Sequence, residues 1–142
     1  MLKPIGIINS PYESRDAAPI QSRMSDAEGT VRVFEDYAEG LEGIEGFSHI
    51  ILVYLFHKSK GYSNKVVPFL DSKEKGVFAT RSPSRPNPIG LSVVKLLERR
   101  AAILSVKGLD MVDGTPLFDI KPYVPAFDCI KEARQGWLEG KI

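Results

Sequence analysis

Short apolar runs separated by turn-forming residues recur along the chain. They are rich in β-branched and aromatic residues and have the length of strands. The predicted strands are residues 5–9, 30–34, 50–56, 77–80, 91–97, 103–106 and 118–123. Helical periodicity is weak, and the one candidate helix in the first half, residues 34–41, is short and stopped by glycine. Because no long helices alternate with the strands, the pattern predicts an all-β, mainly antiparallel barrel or sandwich rather than a parallel α/β sheet.

The connection between the predicted strands 77–80 and 91–97 is unusually restricted. Residues 81–88 read RSPSRPNP, and each proline fixes its own φ and keeps the preceding residue extended, so no helix passes through. A loop of this kind loses little entropy on ordering, which suits a surface that holds charged groups in place. Arg81 and Arg85 are those groups, although a proline-rich turn with two solvated arginines has the same composition.

Chain length and charge narrow the choice of partners. With 142 residues, the chain is predicted to form one domain over residues 1–142. A formal net charge of +1 leaves no strongly basic tail, so contact with a nucleic acid would need a local basic patch. Arg99 and Arg100 belong to one such candidate, and we interpret them as a polar turn between two apolar segments.

Cysteine and histidine usage gives little sign of a metal site. Cys129 is the only cysteine, so no internal disulfide forms and a cytoplasmic location is expected. The two histidines, His49 and His57, have no zinc-ligand spacing, and no metal is expected. The apolar run 49–57 has the length of a strand, whereas a membrane span needs about twenty such residues. The N-terminus shows no signal-peptide pattern, and no membrane partner is expected.

The familiar nucleotide-binding motifs are missing. Residues 40–46 read GLEGIEG, but they do not open a strand–helix–strand unit as a dinucleotide fingerprint must. The P-loop pattern is also absent. A nucleotide cofactor would therefore have to be held by loops at the rim of a barrel.

Three long motifs in a fixed order resemble one known family. They read FATRSPSRPNPIGLS at residues 78–92, GLDMVDGTP at 108–116 and DIKPY at 119–123. Shorter segments at residues 4–6, 10–11, 43–49 and 133–137 extend the match nearly end to end. Together they resemble the TsaA-like, or TrmO, family of tRNA (adenine-N6)-methyltransferases.

The resemblance implies a small, dimeric β barrel that binds S-adenosylmethionine near the subunit interface. It also implies methylation of N6 of threonylcarbamoyladenosine at position 37 of tRNA, beside the anticodon. Carried over residue by residue, the implied cofactor contacts are Pro19, Ile20, Gln21, His57, Lys58, Arg81, Leu91, Asp113, Gly114, Thr115 and Pro116. Ile20 departs from the family pattern, which usually has arginine at that position.

The implied reaction requires positioning and one proton acceptor. Methyl transfer from a sulfonium depends on in-line geometry, and N6 is a poor nucleophile while it keeps its proton, so a nearby base would help. Asp119 and Tyr123 are the candidate catalytic residues, with Asp113 as a further polar candidate. Arg81 matches the cofactor contact, which leaves Arg85 and Asn87 of the same loop for the substrate. The threonyl carboxylate of the substrate suits a guanidinium.

Several of these residues also have simpler interpretations. DGTP at residues 113–116 is an ordinary turn sequence, and Asp119 fits the exposed face of a strand. His57 fits a satisfied histidine at the barrel rim, and Trp137 fits an anchor for the C-terminal tail. The alternative function is a non-catalytic barrel that binds S-adenosylmethionine, a nucleotide or RNA, because no general base is recognisable in the sequence.

Overall fold

The computed structural model describes residues 1–19 and 25–142. Strands dominate these ranges, with one short α-helix and several turns of 3-10 helix. The strands are β1 (Gly6–Asn9), β2 (Glu28–Val33), β3 (His49–Leu55), β4 (Lys65–Val66), β5 (Lys75–Gly76), β6 (Ile89–Arg100), β7 (Ile103–Lys107) and β8 (Thr115–Pro122). The α-helix is α1 (Pro125–Asp128), and 3-10 helices cover Arg15–Ala17, Glu35–Leu41, Ile44–Gly46, Val77–Ala79 and Gly136–Leu138.

Six strands close into a barrel in the order β1-β2-β7-β6-β3-β8. Every neighbouring pair is antiparallel. Strand β6 is long enough to pair with β3 along its first half and with β7 along its second. Strands β4 and β5 form a separate two-stranded sheet within the connection from β3 to β6. The predicted all-β, antiparallel barrel is confirmed.

Every second side chain along a barrel strand points inward, and these side chains fill the barrel interior. In β3, Ile50, Leu52 and Tyr54 are buried, while the residues between them are only half-buried. This is the period of two that a strand imposes on its side chains. The core of the described residues also contains the fully buried side chains of Ile8, Val31, Val94, Leu104, Val106, Leu109 and Leu117.

The outward face of β3 and β6 is also apolar. Antiparallel pairing sets Ile51 opposite Val93, Val53 opposite Leu91, and Leu55 opposite Ile89. These positions alternate with the buried ones, so they face away from the core. We call these six residues the outer strip. Leu91, at 52% exposure, is its most exposed large member.

Two predicted elements differ from the structure in kind. Residues 77–80, predicted as a strand, instead form the 3-10 helix Val77–Ala79. The Thr80 N–H and hydroxyl both donate to the Val77 carbonyl, at 3.1 and 2.8 Å, and close a tight turn there. The helix predicted at residues 34–41 is present over Glu35–Leu41, but as a 3-10 helix.

The polar turn predicted at Arg99 and Arg100 is wrong. Strand β6 runs through both residues, because Arg99 pairs with Leu104 and Arg100 with Ile103 of β7. The chain reverses one residue later, at Ala101, whose φ of 52° is the left-handed value that tight hairpins require. No helix in the described part of the chain is long and apolar enough to cross a membrane.

Candidate functional site

Strand direction places three connections at one end of the barrel. Because the barrel strands run alternately up and down, the connections β1–β2, β3–β6 and β7–β8 all leave from the same end. We call this the loop end. The connections β2–β3 and β6–β7 lie at the opposite end, together with the chain that follows β8.

Hydrogen bonds join these three connections into one unit. The Asp113 N–H donates to the Tyr12 carbonyl at 2.7 Å, which ties the β7–β8 connection to the β1–β2 connection. Lys58 Nζ donates to the Glu13 carbonyl at 3.2 Å and brings in the β3–β6 connection. Within that long connection, Ser59 Oγ donates to the Pro83 carbonyl at 3.0 Å. The segment that follows β3 is therefore hydrogen-bonded to the proline-rich loop.

The turn at residues 113–116 is held by hydrogen bonds on one side and leaves its backbone open on the other. The Ser10 N–H and Asn9 Nδ2 donate to Asp113 Oδ1 at 2.9 and 3.2 Å. Thr115 is buried and its hydroxyl donates to the Val112 carbonyl, so this side chain supports the turn. Gly114 has a φ of 81°, and no heavy atom of the described residues outside 113–115 lies within 4 Å of where a Cβ would stand. A ligand can therefore approach the backbone at Gly114.

The proline-rich loop is braced by one of its own arginines. Arg85 Nη1 donates to the Thr80 carbonyl at 2.9 Å and to the Ser82 carbonyl at 3.3 Å. The loop is stiff because of this bracing as well as its prolines. Arg81 is exposed, and its positive charge lies close enough to Tyr54 to act toward lowering the pKa of the Tyr54 hydroxyl. Asn87 is exposed, and its carbonyl accepts the Ile89 N–H at 2.7 Å.

A polar chain beneath these loops was missed by the sequence analysis. The buried Tyr54 hydroxyl and Ser92 Oγ lie 2.8 Å apart, and Ser92 Oγ donates to Asp110 Oδ1 at 2.6 Å. Burial raises the pKa of the Tyr54 hydroxyl far above its usual range, and the Asp110 carboxylate adds to the rise. The available signal was a Tyr and a Ser at inward-facing positions of two strands that pair.

Gly90 is required by space rather than by its φ. It is the second residue of β6, just after the proline-rich loop, and lies opposite Tyr54 in the β3–β6 pair. A Cβ at Gly90 would stand 2.4 Å from Tyr54 Cε2 and 2.8 Å from Phe56 Cζ. The glycine therefore lets the Tyr54 ring lie against the β6 backbone.

The structure brings most of the implied cofactor residues to the loop end. Pro19 is half-buried in the β1–β2 connection, and His57 and Lys58 are exposed just beyond β3. Leu91 lies near the start of β6 on the outer strip. Pro116, next to Thr115, pairs with Ile7 of β1. Ile20 and Gln21 lie outside the described residues.

The two candidate catalytic residues lie elsewhere in the chain. Asp119 pairs with Val53 in the middle of β8, and its Oδ2 lies 3.0 Å from Lys121 Nζ. Tyr123 lies at the opposite end of the barrel, with its ring edge-on to His49 at 6.4 Å and its N–H donating to the His49 carbonyl. One chain therefore does not bring Asp119 and Tyr123 together with the loop-end residues.

Two open clefts flank the 3-10 helix Glu35–Leu41, away from the loop end. One, of about 660 Å³, is lined by Phe34 and Arg99 among others, and the second, of about 350 Å³, by Tyr37 and Asp119 among others. Asp119 is the only candidate site residue in either lining. Convergence of loops, rather than cleft volume, therefore identifies the candidate site. Within residues 1–19 and 25–142, no cluster of three His, Cys, Asp or Glu side chains is placed to hold a metal ion.

Relatives of this chain include both binding proteins and enzymes. A probable S-adenosyl-L-methionine-binding protein of Pyrococcus abyssi is 54% identical over 141 residues, which are 99% of this chain and 77% of that protein. An S-adenosyl-L-methionine-binding protein of Archaeoglobus fulgidus is 48% identical and matches 99% of this chain and 98% of its own length. The tRNA (adenine(37)-N6)-methyltransferase of Escherichia coli is 38% identical over 95% of this chain and 62% of that enzyme.

Solved structures share the fold. The crystal structure of TrmO from Pseudomonas aeruginosa matches with a TM-score of 0.81 and 40% identity, over 96% of this chain and 62% of that chain. The present chain thus spans about three-fifths of the solved protein. The sequence model of the tRNA-methyltransferase O N-terminal domain matches residues 7–129, which confirms the resemblance read from the motifs. The chain belongs to the family of the tRNA-methyltransferase O N-terminal domain.

Proposed function

We propose that this protein is an S-adenosylmethionine-dependent tRNA methyltransferase that acts on N6 of threonylcarbamoyladenosine at position 37. The observation that carries the proposal is the joining of three connections at the loop end, where the family's motif residues lie. The names of the Escherichia coli and Pyrococcus abyssi relatives support methyl transfer and cofactor binding respectively. A tRNA substrate would place the protein in the cytoplasm, with residues 1–142 acting as one catalytic domain.

The charges at the loop end fit those of S-adenosylmethionine, which carries a carboxylate, an ammonium and a sulfonium. Lys58 and Arg81 are exposed cations suited to the carboxylate, and Asp113 is an exposed carboxylate suited to the ammonium or the ribose hydroxyls. The open backbone at Gly114 and the apolar Leu91 would accept the adenosine part. These residues would hold the cofactor.

The protein's contribution to the chemistry is orientation and the handling of one proton. Bound there, the cofactor supplies a methyl group whose bond to N6 forms as the sulfur–carbon bond breaks, while the N6 proton passes to a base. Of the three polar candidates, only Asp113 lies at the loop end of its own chain, which favours it over Asp119 and Tyr123. Arg85 and Asn87 remain proposed substrate contacts on the same loop.

The outer strip supports a homodimer. Six apolar side chains in three cross-strand pairs face away from the core on two adjacent strands. A second copy could cover this strip with the same strip, as in the twofold interfaces of most homodimers. Leu91 belongs both to the strip and to the proposed cofactor contacts, so the cofactor would lie near the interface.

A labelled-methyl assay tests the proposed function. Purified protein is incubated with radiolabelled cofactor and with tRNA that carries or lacks the threonylcarbamoyl group. We expect label only in the modified tRNA, strong loss of transfer in Asp113→Asn, and near-normal transfer in the control Asp119→Asn. Equal labelling of both tRNAs would contradict the threonylcarbamoyl substrate.

The second candidate function is binding without catalysis, which the name of the Archaeoglobus fulgidus relative favours. Cofactor binding by calorimetry without label in either tRNA would support it over the enzyme. Absence of cofactor binding would contradict both functions.

A further inference from the structure

The C-terminal segment reaches back onto the proline-rich loop. Trp137 lies in the 3-10 helix Gly136–Leu138, and its Nε1 donates to the Ala79 carbonyl at 2.7 Å. The two residues are 58 positions apart in the sequence. Trp137 is only half-buried, so it does not belong to the barrel core.

Charged side chains fix the indole in place. Lys75 Nζ and Lys141 Nζ lie 5.8 and 5.6 Å from the centre of the Trp137 ring, within the range of cation–π attraction. Both ammonium groups also bind Asp71 Oδ2, at 3.2 and 2.9 Å. We call Asp71, Lys75, Trp137 and Lys141 the tryptophan clamp. Hydrogen bonds from Lys141 and Lys75 hold the pKa of the Asp71 carboxyl well below its usual range, so Asp71 is ionised at neutral pH.

The clamp binds the backbone at Ala79, two residues before Arg81. Ala79 ends the 3-10 helix Val77–Ala79. The next residue, Thr80, has its carbonyl bound by Arg85 Nη1 at 2.9 Å. The two successive carbonyls before Arg81 are therefore both held by side chains, one from the C-terminal segment and one from the loop itself.

We infer that Trp137 is a positioning residue, which presents Arg81 to the cofactor through its hydrogen bond to the Ala79 carbonyl. The inference rests on the proposed function, because it assumes that Arg81 meets S-adenosylmethionine. An anchor that served only the tail could use any apolar surface. The indole N–H instead donates to a backbone acceptor beside the candidate cofactor residue. Losing that bond should therefore affect Arg81 more than the stability of the barrel.

Matched variants separate positioning from simple anchoring. Trp137→Phe keeps an aromatic ring near the two lysines but removes the N–H donor, and Trp137→Ala removes both. Phe127→Ala is the control, because Phe127 is 81% exposed in α1 of the same C-terminal region. Cofactor affinity is measured by calorimetry, and thermal midpoints and amide hydrogen exchange are measured on the same samples.

We expect Trp137→Phe to weaken cofactor binding roughly two- to tenfold, the effect of losing one hydrogen bond. The Thr80 and Ser82 amides, which bond to the Val77 carbonyl and to Thr80 Oγ1, should exchange faster. The thermal midpoint should change little, and Phe127→Ala should change neither quantity. Equal cofactor affinity in Trp137→Phe and the unaltered protein would overturn the inference while leaving the proposed function intact. Failure of the unaltered protein to bind cofactor would instead contradict the proposed function.

Linkage provides a second test, which leaves Trp137 unaltered. If the clamp favours cofactor binding, bound cofactor must stabilise the clamp by the same free energy. Trp137 is the only tryptophan in the chain, so its fluorescence reports on the clamp alone. We expect saturating S-adenosylmethionine to protect Trp137 from a soluble quencher, with no such protection in Arg81→Ala. Unchanged quenching on cofactor binding would contradict the coupling.

Discussion

At the residue scale, the buried Tyr54 and Ser92 and the half-buried Asp110 form a hydrogen-bonded set of polar side chains beneath the loop end. Tyr54 and Ser92 are each about 3% exposed, and the hydroxyl-to-carboxylate distance from Ser92 to Asp110 is 2.6 Å. Buried polar groups that satisfy one another fix a single arrangement, whereas an unpaired one is costly. These three side chains therefore set the position of the β7–β8 connection relative to β3 and β6.

The raised pKa of Tyr54 predicts a dependence of stability on alkaline pH. In the unfolded chain tyrosine ionises near pH 10, while Tyr54 in the folded barrel stays protonated beyond that value. The stability that this group contributes is therefore complete below about pH 10 and is lost as the pH rises further. Phenylalanine cannot ionise, so the free energy of unfolding of Tyr54→Phe should fall less steeply above about pH 10.

Urea unfolding at a series of pH values measures this difference. Tyr62→Phe is the control, because Tyr62 is 56% exposed, and its curve should run parallel to that of the unaltered protein. Parallel curves for Tyr54→Phe and the unaltered protein above pH 10 would show that Tyr54 is not protected from ionisation.

At the element scale, the proline-rich loop is a rigid arm rather than a simple turn. Its prolines restrict the backbone, Arg85 binds two of its carbonyls, and Ser59 binds a third at Pro83. Rigidity of this kind lowers the entropy cost of holding a charged ligand. Arg81 is thus presented from a loop that is ordered before any ligand arrives.

Substitutions of Arg85 distinguish its hydrogen bonds within the proline-rich loop from a direct contact with RNA. We expect both Arg85→Ala and Arg85→Lys to weaken S-adenosylmethionine binding by about tenfold, or about 1.4 kcal/mol, because neither reproduces the guanidinium's bonds. If Arg85 also binds a phosphate, the slope of log affinity for tRNA against log salt concentration should fall in Arg85→Ala by the amount of about one phosphate contact. The slope should be unchanged in Arg85→Lys, which keeps the charge. Calorimetry and salt titrations give both quantities. Unchanged cofactor affinity in both variants would leave Arg85 only its proposed role on the substrate side.

Prediction from sequence succeeded where local composition decides structure and failed where distant partners decide it. Residues 50–56 are a continuous apolar run of strand length, rich in β-branched and aromatic residues, and β3 lies there. Strand β6 extends beyond residue 97 because β7 pairs with it, and no local pattern reports that pairing. Residues 77–80 have the composition of a strand, but the hydrogen bonds of Thr80 close them into a 3-10 turn.

The candidate site was predictable in its motifs but not in its assembly. The DGTP turn and the arginine loop are visible in the sequence, whereas the chain of Tyr54, Ser92 and Asp110 forms only when the barrel closes. For the same reason, Asp119 was a reasonable base by residue type alone. Pairing of β8 with β3 then places it beside Val53, in mid-strand.

At the scale of the whole molecule, the outer strip predicts that the protein is a dimer. Val53→Lys, in the middle of β3, would put an ammonium between Leu91 of β6 and Asp119 of β8. It should split the dimer, because burying a charge in an interface is costly even beside an opposite charge. Val67→Lys is the control, because Val67 is 60% exposed and lies beside β4, outside the barrel. Light scattering at micromolar concentration should give twice the chain mass for the unaltered protein and Val67→Lys, and the chain mass for Val53→Lys. A monomeric unaltered protein, or a dimeric Val53→Lys, would contradict an interface at the strip.

We propose that the loop end, and not the clefts beside the helix Glu35–Leu41, holds the cofactor. Amide chemical shifts recorded during titration with S-adenosylmethionine test it most directly, because every described element contributes signals. We predict that the perturbed amides will cluster at residues 57–59, 80–91 and 110–116, with those of residues 35–41 unchanged. Perturbations centred on residues 32–41 and 99–103, with the loop end unaffected, would contradict the account.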